Sequence, residues 1–425
     1  MLEVQDPIQI LPEEPKGEPL ERFTRKRGKL LRESDLPSGR RARSSLPDLG
    51  RGGEEPVAAF DYSWLRSSTR PQAQDPTRTV RCADLFCGVG GLSTGLSEAA
   101  WSLEVGLEHV LASDSDPALL ACFGQNFQPR YSEGSPLESF VDGELGTALS
   151  PTEKRLRAQL GELDLMLAGP PCQGHSDLNN HTRRNDPRNA LFLRAVRFAE
   201  VCRPRTILIE NVPGVLRDRG KVVAKARSWL ERLGYAVDAG VIRADELGVP
   251  QARRRFFLLA SRDGTPSIVA AVGRARRPAR PVIWAIDDLG ETGEGVFDTS
   301  ASHSSENRRR IAFLFENDLY DLPDSERPPC HREKAHSYQA VYGRMHPNRP
   351  APTITVGFGS TGQGRFVHPL KPRTLTPHEA ARVQSFPDWF SFSGLKRGQL
   401  QKAIGNAVPP KMASALIREL LGLMG

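Results

Sequence analysis

Cys172 stands where a nucleophile would. A short apolar run at 163–168 reads as a buried strand. Gly169, Pro170 and Pro171 end it, since neither proline can donate to a sheet ladder. The thiol follows on an irregular loop, beside Gln173, His175, Ser176 and Asn179, at the strand end where open α/β sheets place their chemistry. Glu210 is delivered in the same way. The run 205–209 reads as a buried parallel strand by length and β-branching, and Asn211-Val212-Pro213-Gly214 follows the carboxylate. Arg253, Arg254 and Arg255 lead into an apolar strand at 256–260 and suit an anion or a polar ligand. A thiol, a carboxyl group and guanidinium groups suit covalent catalysis with acid–base support. Singly, each also has a plain structural reading: a half-buried thiol, an exposed helix-capping glutamate, a solvated arginine face.

These residues need a sheet to position them. The run 80–86 reads as a first strand and passes into Cys87-Gly88-Val89-Gly90-Gly91, a glycine turn that opens a helix. Glycine permits positive φ there and lets a ligand approach the backbone. No Gly-Lys-Ser/Thr follows, which disfavours a triphosphate loop. A second strand at 107–113 ends in Asp114-Ser115-Asp116, an acidic site suited to ribose hydroxyls. Together these features predict an adenosine-bearing cofactor on a Rossmann-like α/β sheet. Further helices are expected at 190–201, with Leu191, Val196 and Ala199 inward, and at 221–233. A strand is expected at 236–242. Thr376, Pro377 and Glu379 form a helix start, and the run 404–410 precedes a C-terminal helix at 411–423.

The chain has 425 residues, enough for two or three domains. Its formal charge of +7 favours a polyanionic partner. No apolar run reaches the length of a membrane span, and the start of the chain lacks a signal-peptide core. The six cysteines form no Cys-x-x-Cys pair, so neither a zinc knuckle nor a disulfide framework is expected, and a reducing cytosolic setting fits. Cys330, His331 and His336 match no common metal-site spacing, and no metal is expected. Residues 1–77 read as a disordered tail of basic and acidic character, rich in Pro, Gly, Glu and Arg. Such an arm would add non-specific DNA affinity by counterion release, or be merely solvated. Residues 262–350 lose periodicity and read as a separate loop-rich region.

In order, the chain carries Phe86-x-Gly88-x-Gly90-Gly91, Pro170-Pro171-Cys172-Gln173-Gly174, Glu210-Asn211-Val212 and Gln251-x-Arg253-x-Arg255. Arg373-x-Leu375-Thr376-x-x-Glu379-x-x-Arg382-x-Gln384-x-Phe386-Pro387 and Gly405-Asn406-x-Val408-Pro409 follow. This series closely resembles the C5-cytosine-specific DNA methyltransferases of bacterial restriction–modification systems, from about residue 80 to the C-terminus apart from a variable segment. The resemblance implies a catalytic domain over 78–261, completed by 372–425, and a smaller target-recognition domain over 262–371. It implies that Phe86, Gly88, Gly90 and Gly91 cradle S-adenosyl-L-methionine, with Asp114 on the ribose. Ser115, Ser135, Pro171, Leu191, Asn406 and Val408 would complete the cofactor pocket. Cys172 corresponds to the nucleophile and Glu210 to the residue that grips cytosine N3. Arg253 and Arg255 correspond to arginines that hold the covalent intermediate and the flipped nucleotide. Gln173, Ser176, Asn211 and Thr355 correspond to substrate contacts.

The chemistry explains the residue types. Cytosine C5 is too weak a nucleophile to take a methyl group unaided. Addition of a thiolate at C6 makes it part of an enamine. The target carbon is unreachable in stacked DNA, so the base must be extruded. The implied partner is double-stranded DNA, with a cognate restriction endonuclease acting separately, no membrane, and a monomer in the cytoplasm beside the nucleoid. Three positions depart from the family pattern: His175 stands in place of a phenylalanine, Ser115 in place of a bulky residue against adenine, and Ser135 in place of an aspartate. Rival readings are a tRNA cytosine-5 methyltransferase, whose Cys-Phe-Thr signature is missing from this chain, and a catalytically silent DNA-binding regulator.

Overall fold

The computed structural model describes residues 21–35, 41–50, 53–171, 190–290, 294–332 and 340–424. The first of these correct the expected tail. Strands β1 (Glu21–Lys26), β2 (Lys29–Asp35) and β3 (Arg41–Pro47) form an antiparallel sheet, followed by helix α1 (Pro56–Leu65). Composition misleads here because the inward positions alternate Leu30, Arg32, Ser34 and Ala42, Ser44, Leu46, a period of two with polar members. Arg32 is buried and lies over the rings of Phe60 and Trp101, at 4.9 and 4.8 Å. It ion-pairs with Glu98 at 3.5 Å and Glu21 at 3.9 Å. Charges that read as solvated are therefore paired against the body of the protein.

The central sheet takes strands from the next two hundred residues. They are β4 (Thr79–Leu85), β5 (Gly106–Ser113), β6 (Tyr131–Glu133), β7 (Leu165–Ala168), β8 (Thr206–Asn211), β9 (Ala236–Arg243) and, past the two-residue β10 (Gln251–Ala252), β11 (Arg254–Ser261). Their spatial order is β6-β5-β4-β7-β8-β11-β9. The pairs from β6 to β8 are parallel, while β11 runs antiparallel to both its neighbours. The mostly parallel α/β sheet agrees with the expected fold class, and each expected strand of this sheet forms within a few residues of its predicted limits.

Between the strands run α2 (Gly91–Ser102), α3 (Pro117–Phe127), α4 (Pro151–Leu160), α5 (Ala190–Cys202) and α6 (Val222–Arg232). Both faces of the sheet are covered, and β7 shows how. Leu165 and Leu167 join one core with α2, while Met166 and Ala168 join another with α5 and α6. This is why β7 reads as an uninterrupted apolar run. Each fully buried side chain of that size contributes about 1.5–3 kcal/mol.

Helices α7 (Ile268–Ala275), α8 (Val282–Ile286), α9 (Ser305–Glu316) and α10 (Pro329–Arg332) follow, then the short β12 (Ala351–Pro352). The regular run expected at 351–356 is thus confined to two residues, which pair in parallel with β10. The chain closes with α11 (Pro377–Val383), α12 (Arg397–Asn406) and α13 (Pro410–Leu423). Thr376 and Glu379 form the anticipated capping box.

Two cores span the positions 262 and 371. Helix α7 shares the core of α2 and α13, because Ile268, Ala271 and Val272 face it. Residues 375–404 share a core with α8, Phe358 and Phe366. No helix among the described residues is long and apolar enough to cross a membrane.

Candidate active site

In a parallel sheet the chain leaves every strand on one edge, and a crevice opens where the strand order reverses. Here the reversal lies between β4 and β7. The β4 exit carries Phe86 and the glycine turn, and the β7 exit carries Gly169, Pro170 and Pro171. The two exits are joined, since Gly169 N donates to Leu85 O at 3.1 Å. Cys172, Gln173 and Ser176 lie outside the described residues. Pro171, the last described residue before them, is half-buried at this edge.

The glycine turn is built for close approach. Gly88 has φ +53°, and a Cβ added there would meet nothing within 4 Å, so its outer side is open to a ligand. Gly91 begins α2, and a Cβ there would lie 2.5 Å from the Val408 carbonyl oxygen. The C-terminal segment thereby closes on the turn. Phe86 also takes a left-handed conformation, φ 54°, uncommon for a non-glycine residue. Asp114, at the β5 exit, accepts from Gly88 N and from Asp116 N, each at 2.8 Å. Burial raises its pKa, against the two backbone donors. Asp116 caps α3 and pairs with Lys402 of α12 at 2.7 Å, so both walls of the crevice are tied at this corner.

Other expected cofactor residues are less uniform. Ser115 and Asn406 are exposed, and Leu191 is half-buried on α5. The Ser135 hydroxyl donates to Glu133 at 2.6 Å, so its proton is already engaged. Beneath the turn, Asp84 is fully buried and accepts from Ser93 Oγ at 2.7 Å. Desolvation raises its pKa to about 7, despite the Ser93 hydrogen bond, and Asp114 adds to the rise. Asp84 is not legible in the sequence, since an aspartate inside a strand carries no signal until its depth is known.

Glu210 comes off β8 next to the Pro-Pro loop. It is buried, and Arg255 on β11 places Nε 2.9 Å from its Oε1. The pairing follows from the antiparallel register, which sets Phe256 against Asn211 and Phe257 against Glu210. Burial pushes the Glu210 carboxyl above its ordinary pKa, and the pull of Arg255 and Arg253 does not cancel this. The helix-capping alternative for Glu210 is thereby removed.

Three expected contact residues make hydrogen bonds within the frame. Asn211 is buried and donates from Nδ2 to Pro170 O at 3.3 Å, which fixes the β7 exit against β8. Arg253 is fully buried, and its guanidinium donates to Ile354 O at 2.7 Å and Gly405 O at 3.1 Å. The Thr355 hydroxyl accepts from Gly357 N at 3.3 Å within a turn. Beside Arg253, Gln251 accepts from Ile354 N at 2.9 Å and donates to Gln384 Oε1 at 2.9 Å. Gln384 in turn donates to Ile404 O at 2.6 Å. This buried amide chain welds β10, α11 and α12. Its members stood in the motifs quoted above, but only their meeting in space reveals the purpose.

Among the described residues no cluster of His, Cys, Asp and Glu could hold a metal ion. The crevice instead offers a carboxyl, a guanidinium and open backbone at one sheet edge, an arrangement for polar organic ligands.

Known proteins bear on what those ligands are. The model of the C-5 cytosine-specific DNA methylase family matches residues 80–422. Type II methyltransferase M1.BsuMI of Bacillus subtilis (strain 168) is 50% identical over 358 residues, 84% of this chain and 84% of that protein. Type II methylase M.HgiDII of Herpetosiphon aurantiacus is 33% identical over 350 residues, covering 79% of this chain and 94% of the relative. Among solved structures, a putative DNA modification methyltransferase encoded within an E. coli prophage superposes with TM-score 0.54 at 22% identity, over 81% of this chain and 99% of its own. Entamoeba histolytica methyltransferase EhMeth gives TM-score 0.55 at 16% identity, over 82% of this chain and 99% of its own. The structural likenesses establish the fold; the sequence matches over most of the chain establish more. The chain belongs to the C-5 cytosine-specific DNA methylase family and is a DNA cytosine-5 methyltransferase.

Proposed function

We propose that this enzyme methylates cytosine in a specific duplex sequence through a covalent bond between Cys172 and C6 of an extruded base, with S-adenosyl-L-methionine as donor. We infer further that it is the modification enzyme of a Type II restriction–modification system, the class to which its relatives' names assign them. The observation that carries this reading is the buried Glu210 carboxyl. It is held by Arg255 beside the loop that leads to Cys172, and burial favours its neutral form.

The residues present fit the cofactor. The open side of Gly88 offers a cradle, Asp114 a carboxylate for ribose hydroxyls, and the Val408 segment a wall. When bound, S-adenosylmethionine supplies an electrophilic methyl group. The protein's residues do the rest. The Cys172 thiolate adds to C6, and the Glu210 carboxyl gives its proton to N3 as charge develops on the ring. C5, now an enamine carbon, takes the methyl group. Loss of the C5 proton to water restores the C5–C6 double bond and expels the thiolate, and N3 returns its proton to the Glu210 carboxylate. Arg255 keeps the Glu210 carboxyl oriented throughout. The 262–371 segment is proposed to read base edges in the major groove, and the protein to act as a monomer in the cytoplasm.

Bisulfite sequencing of plasmid from cells expressing the protein tests this reading, with purified duplex DNA and tRNA compared as substrates in vitro. Protected cytosines at one recurring sequence, lost in Cys172→Ala, are expected. Unmodified plasmid, or transfer to tRNA alone, would refute it.

A further inference from the structure

Among the described residues, Asp84 is a buried acid beneath the glycine turn that the proposed reaction does not use. It sits on β4 three residues before the glycine turn begins at Cys87, with no measurable exposure. Its Oδ2 accepts a single hydrogen bond, from Ser93 on α2, and its Oδ1 is buried with no partner among the described residues. A buried carboxylate commonly has a cation beside it or several donors around it. Asp84 has neither. The groups acting on it are the Ser93 hydroxyl and, just past the end of β5, the Asp114 carboxyl. The thiols of Cys82 on the same strand and Cys87 on the turn also feel its charge, and both are themselves held protonated by burial. The strand beside it, β7, contributes only Leu165, Met166, Leu167 and Ala168.

We propose that Asp84 is a proton switch of the cofactor pocket: a neutral carboxylic acid in the free protein, it releases its proton when a cation-bearing ligand seats on the turn. The inference rests on the reading that this turn binds S-adenosylmethionine, which carries both an ammonium and a sulfonium group. The O–H bond of Asp84 breaks, the proton passes to bulk buffer, and the remaining carboxylate is balanced by the ligand's positive charge. A fully buried acid beneath the turn, and a partly buried one, Asp114, bonded to Gly88 of the turn itself, with no arginine or lysine acting on the deeper one, are poised for such an exchange. Burial of the free acid supports this, since it brings the titration close to neutral pH.

Calorimetric titration of the full-length protein with S-adenosylmethionine, in buffers of different ionisation enthalpy, counts the protons released. The expected result is roughly half a proton at pH 7, more at pH 6 and almost none at pH 8.5. Asp84→Asn should still bind the ligand but lose this pH-dependent release. Ser93→Ala removes the only donor to Oδ2, so its release profile should move to higher pH. It carries the test if Asp84→Asn does not fold. Binding without proton release, or equal release from Asp84→Asn, would overturn the proposal while leaving the cofactor assignment intact. Absence of any binding by the unaltered protein would overturn the assignment itself, and the switch with it.

Discussion

A glutamate carried to the rim of a sheet by a wholly apolar strand faces two opposed influences. Burial favours its acid form and Arg255 its carboxylate, and for Glu210 burial prevails. The sign of the pH dependence follows. The neutral acid is the proton donor, so the methyl-transfer step should slow as pH rises through the raised Glu210 pKa. Glu210→Gln keeps shape and hydrogen bonding but cannot give up a proton. It should lower kcat by roughly 10²–10⁴-fold and flatten that limb of the pH profile, with DNA affinity nearly unchanged in gel-shift titration. A kcat within a few-fold of the parent would show that proton donation is not its task. Arg253 also holds the frame, because its terminal nitrogens donate to the carbonyls of Ile354 and Gly405. Arg253→Met should cost about 1–3 kcal/mol for the carbonyls left unsatisfied, read as a lower urea midpoint. A lost rate with unaltered stability would return Arg253 to the chemistry. The motifs singled out both arginines equally; depth separates them, and depth is not written in a spacing.

The elements of the central sheet were legible because each carries a single strong signal. The apolar runs of β7 and β8, the glycine turn before α2 and the Thr376 capping box each depend on neighbours in sequence. The N-terminal sheet was not legible, because Arg32 and Glu21 occupy inward positions and are neutralised by residues far along the chain. Although burial opposes it, Arg418, Arg32 and Arg277 hold the Glu21 pKa down to about 2. A depressed carboxylate contributes stability above its unfolded value of 4.5, and that contribution is lost as pH falls from there toward 2. Glu21→Gln strands buried arginines and should destabilise the protein by about 3–5 kcal/mol at neutral pH. The difference between variant and parent should shrink in thermal scans below pH 4. A constant difference at all pH values would deny the ionic origin. At the turn, Gly91→Ala would drive a methyl group against the Val408 carbonyl. Cofactor affinity should fall at least tenfold in equilibrium binding, and unchanged affinity would mean that the Val408 segment does not close the pocket.

At the scale of the molecule, one sheet edge gathers the exits of β4, β5, β7 and β8 with the start of β11, and a second core built around α8, α11 and α12 packs against the turn through Cys87 and Val89. The family was legible because its motifs lie on the strand exits; the recognition sequence was not, since it depends on which few side chains reach base edges. The proposed chemistry turns on a transient bond from Cys172 to a cytosine turned out of the duplex. Incubation with S-adenosylmethionine and duplex DNA carrying 5-fluorocytosine at the mapped target tests it most directly, because fluorine at C5 cannot leave as a proton does. A denaturation-resistant protein–DNA adduct is expected, with peptide mapping placing the bond at Cys172, and no adduct from Cys172→Ala. Methylation of unmodified DNA without any adduct on the fluorinated duplex, or an adduct at another residue, would contradict it.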